Sequence, residues 1–194
     1  MPSRVVFCNR FIDSQFRGPY ILPEREVGLS VEIEMAIKGL MVDPITNMPI
    51  IVLREVEGQR ILPIWVGVFE ANAIALQMEN VQTPRPMTHD LLKSVIAQLD
   101  GQVERIVVCE LKENTFYATL HVLSPKGQLS VDSRPSDAIA LALRTGARIF
   151  VEEAVIQSAR TVETSQTSRD SMDVGRLQKW LEKLDDDDLG KYKM

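Results

Sequence analysis

The sequence predicts an α+β fold: a mixed, mostly antiparallel sheet with helices packed on it, followed by a C-terminal amphipathic helix. Two observations predict this class. Segments with strand character follow one another across short turns, as they do in hairpins. The helical segments stand apart from those hairpins, which is typical of α+β domains. We therefore expect one hairpin-rich domain with its helices against the sheet.

The composition indicates a globular protein with an ordinary core. The chain has 194 residues, of which 45% are hydrophobic and 25% are charged, which suits one domain with appendages. Cys8 and Cys109 have neither metal-ligand spacing nor a disulfide framework, so we expect a reducing, cytoplasmic setting. We expect no membrane association, because no apolar run is long enough to span a bilayer and the N-terminal residues lack a signal-peptide pattern.

The net charge of −5 limits the kinds of partner. A protein that grips the backbone of nucleic acid presents a positive surface, and this composition argues against such a protein. It does not argue against an enzyme that holds divalent cations with carboxylates, because the bound cation reverses the local charge.

The first predicted elements are strands. Residues 1–28 contain prolines and charged residues and are predicted as an N-terminal arm. In Val31–Ile37 apolar residues alternate with polar ones, which is typical of a half-buried strand. Pro49–Val56 and Arg60–Val66 are predicted as a hairpin. Pro63 lies inside the second of these strands and indicates an edge strand or a bulge.

Two helices are predicted next. The first begins at Gly67 and has small residues on one side, which allow it to lie close to a sheet. A loop with Arg85 between two prolines leads to the second helix, His89–Leu99, with Thr88 as the expected N-cap. The apolar residues of this second helix repeat at helical spacing and are expected to be buried: Leu91, Leu92, Val95, Ile96 and Leu99.

The rest of the domain contains more strands and a third helix. The strands are predicted at Val103–Leu111, Thr115–Val122 and Gln128–Val131. The third helix has Pro135 at its first position and Gly146 just past its end. A short strand, Arg148–Val151, and a helical turn up to Gln157 follow. We place this domain at residues 29–157.

Two appendages follow the domain. Residues 158–172 are polar, lack periodicity and are predicted as a linker. Residues 173–194 contain an amphipathic helix, which we expect to dock on the domain or on a neighbouring subunit. The acidic residues after this helix are expected to form a solvated tail.

Ionisable residues collect where the predicted elements begin. They are Glu70, Arg85, His89, Asp90, Asp132, Arg134 and Asp137. Several of them also have a structural explanation. Glu70 suits a capping box with Gly67. Asp90 and Asp137 suit the first turn of a helix, where a carboxylate stabilises by about 0.3–1 kcal/mol. Spacing alone leaves both explanations open.

The two arginines among these residues each precede a proline. Proline fixes the local backbone and so aims the guanidinium groups of Arg85 and Arg134, which suit bidentate binding of phosphate or carboxylate. The structural alternative for them is a salt bridge to Asp90 or Asp132.

Taken together, these residue types suit the hydrolysis of phosphodiesters. That reaction needs carboxylates to hold Mg²⁺ or Mn²⁺, a base to activate water, and a cation to neutralise charge on the phosphoryl oxygens. Carboxylates at helix N-termini repel a phosphate unless a metal bridges them. We therefore expect any nuclease activity to require a metal.

Four segments also carry a resemblance to a known family. They are LPIWVGVFEANAIAL, TPRPMTHDLL, TFYATLHV and VDSRPSDAIALALR, and they occur in this order within residues 29–157. They resemble the signature segments of the bifunctional nuclease family of bacteria, which has relatives in plants. The resemblance implies a compact α+β domain and DNase and RNase activity with little sequence specificity. It also implies a homo-oligomer, which we expect to be a dimer.

The resemblance marks the polar positions of the site, including Ser136, and we assign their roles. The catalytic residues are predicted to be His89, Asp90 and Glu70, with Asp90 holding the imidazole of His89. Phosphate binding is assigned to Arg85, Arg134 and Ser136. The metal, Mg²⁺ or Mn²⁺, is assigned to Glu70, Asp132 and Asp137. Nucleic acid is the expected substrate.

A function of another class also suits these residues. The two Arg-Pro turns can hold a phosphorylated or carboxylate ligand in a non-catalytic regulatory module that acts as a homo-oligomer. The acidic composition and the lack of a basic groove studded with aromatics favour this alternative over avid nucleic-acid binding. A purely structural role in an assembly is the third alternative.

Overall fold

The computed structural model of the protein describes residues 31–44 and 46–166. The predicted N-terminal arm (1–28) and the predicted C-terminal helix and acidic tail (173–194) lie outside the described residues.

Seven strands and four helices make up the described part of the chain. The strands are β1 (Glu32–Val42), β2 (Pro49–Glu55), β3 (Ile61–Trp65), β4 (Gln102–Lys112), β5 (Thr115–Ser124), β6 (Gly127–Ser133) and β7 (Arg148–Glu152). The helices are α1 (Val68–Met78), α2 (Thr88–Gln98), α3 (Pro135–Thr145) and α4 (Glu153–Gln166).

All seven strands form one sheet, in the order β3-β2-β1-β7-β4-β5-β6. Strand β7 is parallel to β4, and every other neighbouring pair is antiparallel. The last strand of the described residues therefore lies in the middle of the sheet and joins two antiparallel units, β1–β3 and β4–β6. The predicted α+β class with a mixed, mostly antiparallel sheet is confirmed.

Strand β2 shows how the sheet is buried. Its side chains alternate between the two faces, as the period of a strand requires. Ile51 and Leu53 belong to the main core under the helices, whereas Ile50 and Val52 belong to a smaller cluster on the opposite face. Pro63 lies in β3 at the edge of the sheet, which confirms the prediction of an edge strand.

Helices α1 and α3 pack against each other and supply small residues to the main core. In α1 the predicted face is buried at Ala71, Ile74 and Ala75, whereas Met78 at its end is 37% exposed. Helix α3 buries almost all of its first three turns. Because alanine leaves room for close approach, the two helices can bring their N-terminal ends together.

Helix α2 departs from the prediction in two ways. Thr88 is its first residue, and Met87 occupies the N-cap position. The predicted buried stripe is largely exposed: Leu91 is 58% exposed and Leu99 is 71% exposed. Ile96 alone of that stripe packs against the core. The reason is the position of α2 at the border of the helix layer, where its apolar side faces a groove.

The two ends of α3 match their predicted signals. Pro135 lies in the first turn, and Gly146 ends the helix in the left-handed conformation with φ 72°, which glycine adopts without steric cost. Helix α4 extends past the predicted helical turn, because residues 158–166 of the predicted linker are helical; residues 167–172 of that linker lie outside the described residues. Among the described helices, none is both long enough and apolar enough to cross a bilayer.

Candidate active site

Three helix N-termini meet at one end of the helix layer. Glu70 lies in the first turn of α1, His89 in the first turn of α2, and Asp137 in the first turn of α3. Arg134 is the N-cap residue of α3. These four residues are linked by direct contacts, and we call them the site cluster. Free backbone N–H groups at the three N-termini favour negative charge here.

Arg134 is the centre of the site cluster. Its Nε donates to Asp137 Oδ2 over 2.8 Å, and its Nη2 donates to Asp137 Oδ1 over 3.2 Å. Its Nη1 lies 2.8 Å from Glu70 Oε1. The hydrogen bond to Asp137, above all, raises the pKa of Arg134 above its ordinary value. The structural alternative of a salt bridge between Arg134 and Asp132 is not formed, since the partners of Arg134 are Asp137 and Glu70.

His89 is held by a carboxylate, but not by the predicted one. Its Nε2 lies 3.2 Å from Asp137 Oδ1, and its side chain is 11% exposed. Asp90 faces Arg144 instead and does not hold the imidazole. The predicted contact between Asp90 and the His89 imidazole is therefore wrong, and Asp137 makes that contact instead. Adjacent helical residues point in different directions, which explains why Asp90 cannot share the surroundings of His89.

Asp90 and Arg144 form a second, more buried unit. Asp90 Oδ2 accepts the Met87 N–H over 2.9 Å, and Asp90 Oδ1 accepts Arg144 Nε over 2.6 Å. Burial raises the pKa of Asp90, but the Met87 N–H and the Arg144 guanidinium outweigh it and hold the pKa below its ordinary value. Arg144 also donates to the carbonyl oxygens of Ala140 and Ala73. This unit ties α1, α2 and α3 together.

Sequence reasoning missed Arg144. Its side chain is only 4% exposed, and it lies two helical turns after Asp137 on α3, close to the same face. That spacing was the available signal, since i and i+7 positions lie on one side of a helix. A charged residue in the last turn of an alanine-rich helix has an ordinary explanation in the helix dipole, and this explanation hides the buried ion pair.

Arg85 lies apart from the site cluster. It is exposed in the loop before α2, where the Thr83 hydroxyl donates to the Arg85 carbonyl oxygen. With Asp90 and Arg144 it lines a small cleft of about 250 Å³. The structural alternative of a salt bridge to Asp90 is wrong, because Asp90 pairs with Arg144. The two Arg-Pro turns therefore line different cavities.

The other two predicted site residues take peripheral positions. Asp132 lies on β6 and lines the same groove as His89, Arg134 and Asp137. Ser136 lies in the first turn of α3 and is 7% exposed, so little of it is open to a phosphate. The structure thus brings together Glu70, His89, Arg134 and Asp137, with Asp132 along the groove.

The predicted metal ligands Glu70, Asp132 and Asp137 do not form a complete coordination shell for a metal ion. Within residues 31–44 and 46–166, no group of three or more His, Cys, Asp or Glu side chains is placed to hold a metal ion. Glu70 and Asp137 both contact Arg134. Two carboxylates suit Mg²⁺, which commonly takes one or two protein carboxylates together with water and substrate oxygens. Both carboxylates already contact the Arg134 guanidinium, so a metal ion at Glu70 and Asp137 would share these carboxylates with Arg134.

Comparison with known proteins identifies the family of this chain. The family model for the bifunctional nuclease domain matches residues 51–164, a range that contains every residue of the site cluster. An uncharacterised protein of Mycobacterium tuberculosis (strain H37Rv) is 38% identical over 162 residues, covering 80% of this chain and 97% of the relative.

Two plant relatives carry the name of an activity. Bifunctional nuclease 1 of Arabidopsis thaliana is 31% identical over 127 residues, covering 62% of this chain and 39% of the plant protein. Bifunctional nuclease 1 of Oryza sativa subsp. japonica is 26% identical over 109 residues, covering 54% of this chain and 33% of the plant protein. Since the family model spans more than half of the residues, this chain belongs to the bifunctional nuclease family.

Proposed function

We propose that this protein hydrolyses phosphodiester bonds of DNA and RNA with little sequence specificity. The observation that carries the proposal is the contact between His89 and Asp137 beside an arginine with free N–H groups, at the end of an open groove. Membership of the bifunctional nuclease family and the names of the plant relatives support it.

His89 is the proposed general base or acid. With the proton on Nε2, the imidazole donates to Asp137 and keeps Nδ1 as the nitrogen that accepts a proton from water. Asp137 then orients the ring and stabilises its protonated form, as a carboxylate does beside a catalytic histidine.

Arg134 is the proposed phosphate-binding residue. A guanidinium has five N–H donors, and Arg134 uses three of them on Asp137 and Glu70. Two donors remain for phosphoryl oxygens, and the side chain is 66% exposed. Donors fixed before the reaction stabilise charge that develops in the transition state. The two carboxylates hold the guanidinium in place for that purpose.

We also propose that Mg²⁺ or Mn²⁺ takes part, held by Glu70 and Asp137. A bound ion of this kind supplies a Lewis acid for the phosphoryl group and lowers the pKa of water. Asp132 and Ser136 make no contact here that assigns them to the ion or to phosphate.

The test is cleavage of labelled single-stranded DNA and RNA with Mg²⁺, Mn²⁺ or EDTA. His89→Ala removes the base, and His121→Ala is its matched control, because it changes the other histidine, which lies on β5 beside Ser130. We expect loss of cleavage in His89→Ala and in EDTA, and full cleavage in His121→Ala. Equal activity in both variants would assign the activity to another site or to a contaminant.

A second candidate is a non-catalytic module that binds a phosphorylated or carboxylate ligand. The net charge of −5 argues against avid binding of nucleic acid, and the separate cleft lined by Arg85 and Arg144 offers arginine side chains outside the site cluster. Binding of a nucleotide without turnover, abolished by Arg85→Ala and kept in Arg134→Ala, would decide for this function. We further propose a cytoplasmic homo-oligomer, a dimer, whose state sedimentation velocity measures directly.

A further inference from the structure

A groove opens beside the site cluster. Its volume is about 810 Å³. One wall is the apolar side of α2, with Leu92 and Leu99, and the floor consists of side chains from β5 and β6. His89, Arg134 and Asp137 line the same groove. We call it the α2–β6 groove.

The α2–β6 groove exists because the helix layer stops short of the sheet edge. Helix α3 packs against β4, β5 and β7, and α4 packs against β4 and β7, so β6 lies outside the main helix contacts. Leu120 and Val122 of β5 pair with Val131 and Leu129 of β6 and point to the same face of the sheet. An apolar floor continues past the last helix.

The apolar wall is exposed in the described part of the chain. Leu92 is 40% exposed and Leu99 is 71% exposed. Exposed apolar area costs about 25 cal/mol per Å² compared with the same area buried, and contiguous patches of this kind mark binding surfaces. Because this patch continues directly into the site cluster, a molecule that occupies the groove also reaches His89 and Arg134.

The charge of the groove selects the kind of contact. Arg134 is the only arginine or lysine among its lining residues in the described part of the chain, and the carboxylates of Asp132 and Asp137 line it as well. A nucleic acid bound there cannot gain affinity from many phosphate contacts, which are the usual source of nonspecific binding. Affinity for a nucleic acid would then come from burying bases, whose apolar faces can pack on the apolar lining and on the ring of Phe116, a partly buried residue that lines the groove. Hydroxyl groups of Thr88, Thr115 and Ser124 line the groove as well.

We propose that the α2–β6 groove is a subsite for unpaired nucleobases next to the phosphate bound by Arg134, so that the substrate is single-stranded nucleic acid. This inference rests on the proposed nuclease function. In a duplex the base faces are stacked and the edges are paired, and taking a base out costs a few kcal/mol. A duplex therefore gains little from an apolar groove, whereas a single strand fills it directly.

The decisive experiment measures binding without cleavage. The probe is a short single-stranded oligonucleotide with a cleavage-resistant phosphorothioate backbone and one 2-aminopurine, whose fluorescence falls on stacking, titrated with full-length protein in Mg²⁺. The anisotropy of a 5′ fluorescein reports binding of the duplex form. Leu92→Glu places a charge inside the groove. Leu91→Glu is its matched control, since Leu91 is the neighbouring exposed leucine on α2, at 58% exposure, and does not line the groove. Phe116→Leu removes the ring and keeps an apolar side chain.

We expect Leu92→Glu to weaken binding of the single strand by about tenfold or more and Phe116→Leu to weaken it several-fold. Leu91→Glu should bind like the unmutated protein. Hybridising the probe to its complement, or replacing the flanking bases by abasic sites, should reduce affinity of the unmutated protein at least tenfold. Equal binding of single strand and duplex, or of Leu92→Glu and Leu91→Glu, would overturn the proposal.

The outcomes separate this inference from the nuclease function. Cleavage that requires His89 but proceeds at the same rate on duplex and single strand would support the nuclease function and refute the single-strand subsite. Binding that depends on the groove, without any cleavage, would support a single-strand binding site and refute the nuclease function. If Leu92→Glu changes the oligomeric state and leaves the affinity unchanged, then the groove is a contact between copies of the chain, and the proposal is wrong.

Discussion

Gly67 lies where any larger side chain would meet the carboxylate of Glu70. A Cβ atom placed on Gly67 collides with Glu70 Oε2, while the backbone angle φ of −69° suits any residue. The absence of a side chain at this N-cap thus leaves space for Glu70 to reach Arg134. Nothing in the sequence distinguishes this role from ordinary capping.

Gly67→Ala should therefore reduce cleavage several-fold by moving Glu70 away from Arg134. The free energy of unfolding should change by only about 1 kcal/mol, the usual range for an N-cap substitution. Gly58→Ala is the matched control, since a Cβ there meets the carboxylate of Glu55, which pairs with Arg60 away from the site cluster. Chemical denaturation and initial cleavage rates measure both effects. Similar loss of activity in the two variants would refute the role of Gly67.

The two Arg-Pro turns should differ sharply in their effect on catalysis. Arg134 lies in the site cluster, whereas Arg85 lines the small cleft. Removing a preorganised donor costs about 10²–10³-fold in rate, so Arg134→Ala should lose cleavage by that factor. Arg85→Ala should stay within a few-fold of the unmutated protein. The measurement is kcat/KM for one oligonucleotide. The reverse order of effects would move the phosphate site to the small cleft.

At the scale of elements, the Asp90–Arg144 pair connects the stability of the protein to pH. The pKa of Asp90 is lower in the folded protein than its ordinary value of about 3.9. The carboxylate therefore stabilises the fold fully above that pH, and the contribution is lost as the pH falls through the folded-state pKa. Acid should loosen the connection between α2 and α3 first.

Asp90→Asn should lower the free energy of unfolding by about 2 kcal/mol at neutral pH, because charged hydrogen bonds are lost and Arg144 remains buried. The difference from the unmutated protein should shrink below pH 4. Asp100→Asn is the control: it changes an exposed carboxylate just after the same helix, with φ 56°, a conformation that asparagine tolerates. Urea unfolding between pH 3 and 7 measures this, and a difference that stays constant with pH would contradict it.

Local pattern predicted the strands and hairpins well because strand period, turn residues and proline positions act within a few residues. It also placed Glu70, Asp137 and Arg134 at helix starts. It could not predict that His89 contacts Asp137, which is 48 residues away. For the same reason the pattern wrongly predicted that the leucines of α2 are buried. Helical spacing identifies an apolar face, but the neighbouring elements decide whether that face is covered.

At the scale of the whole molecule, the charge balance predicts an unusual response to salt. With a net charge of −5 and Arg134 as the groove's cation, about one phosphate should be neutralised on binding. For single strands this corresponds to a slope of about −0.7 in a plot of log affinity against log salt. Titrations of the 2-aminopurine probe between 50 and 300 mM salt would measure it, and a slope steeper than about −3 would indicate phosphate contacts outside the groove.

The central position of β7 determines when the domain can form during synthesis. The units β1–β3 and β4–β6 emerge from the ribosome first, and neither β1 nor β4 has its second partner until Arg148–Glu152 has been made. In that interval two inner strands have open edges that another nascent chain can pair with. Five residues near the end of the domain thus close both edges at once. Variants of β7 should reduce the yield of folded protein in cells more than their effect on equilibrium stability suggests.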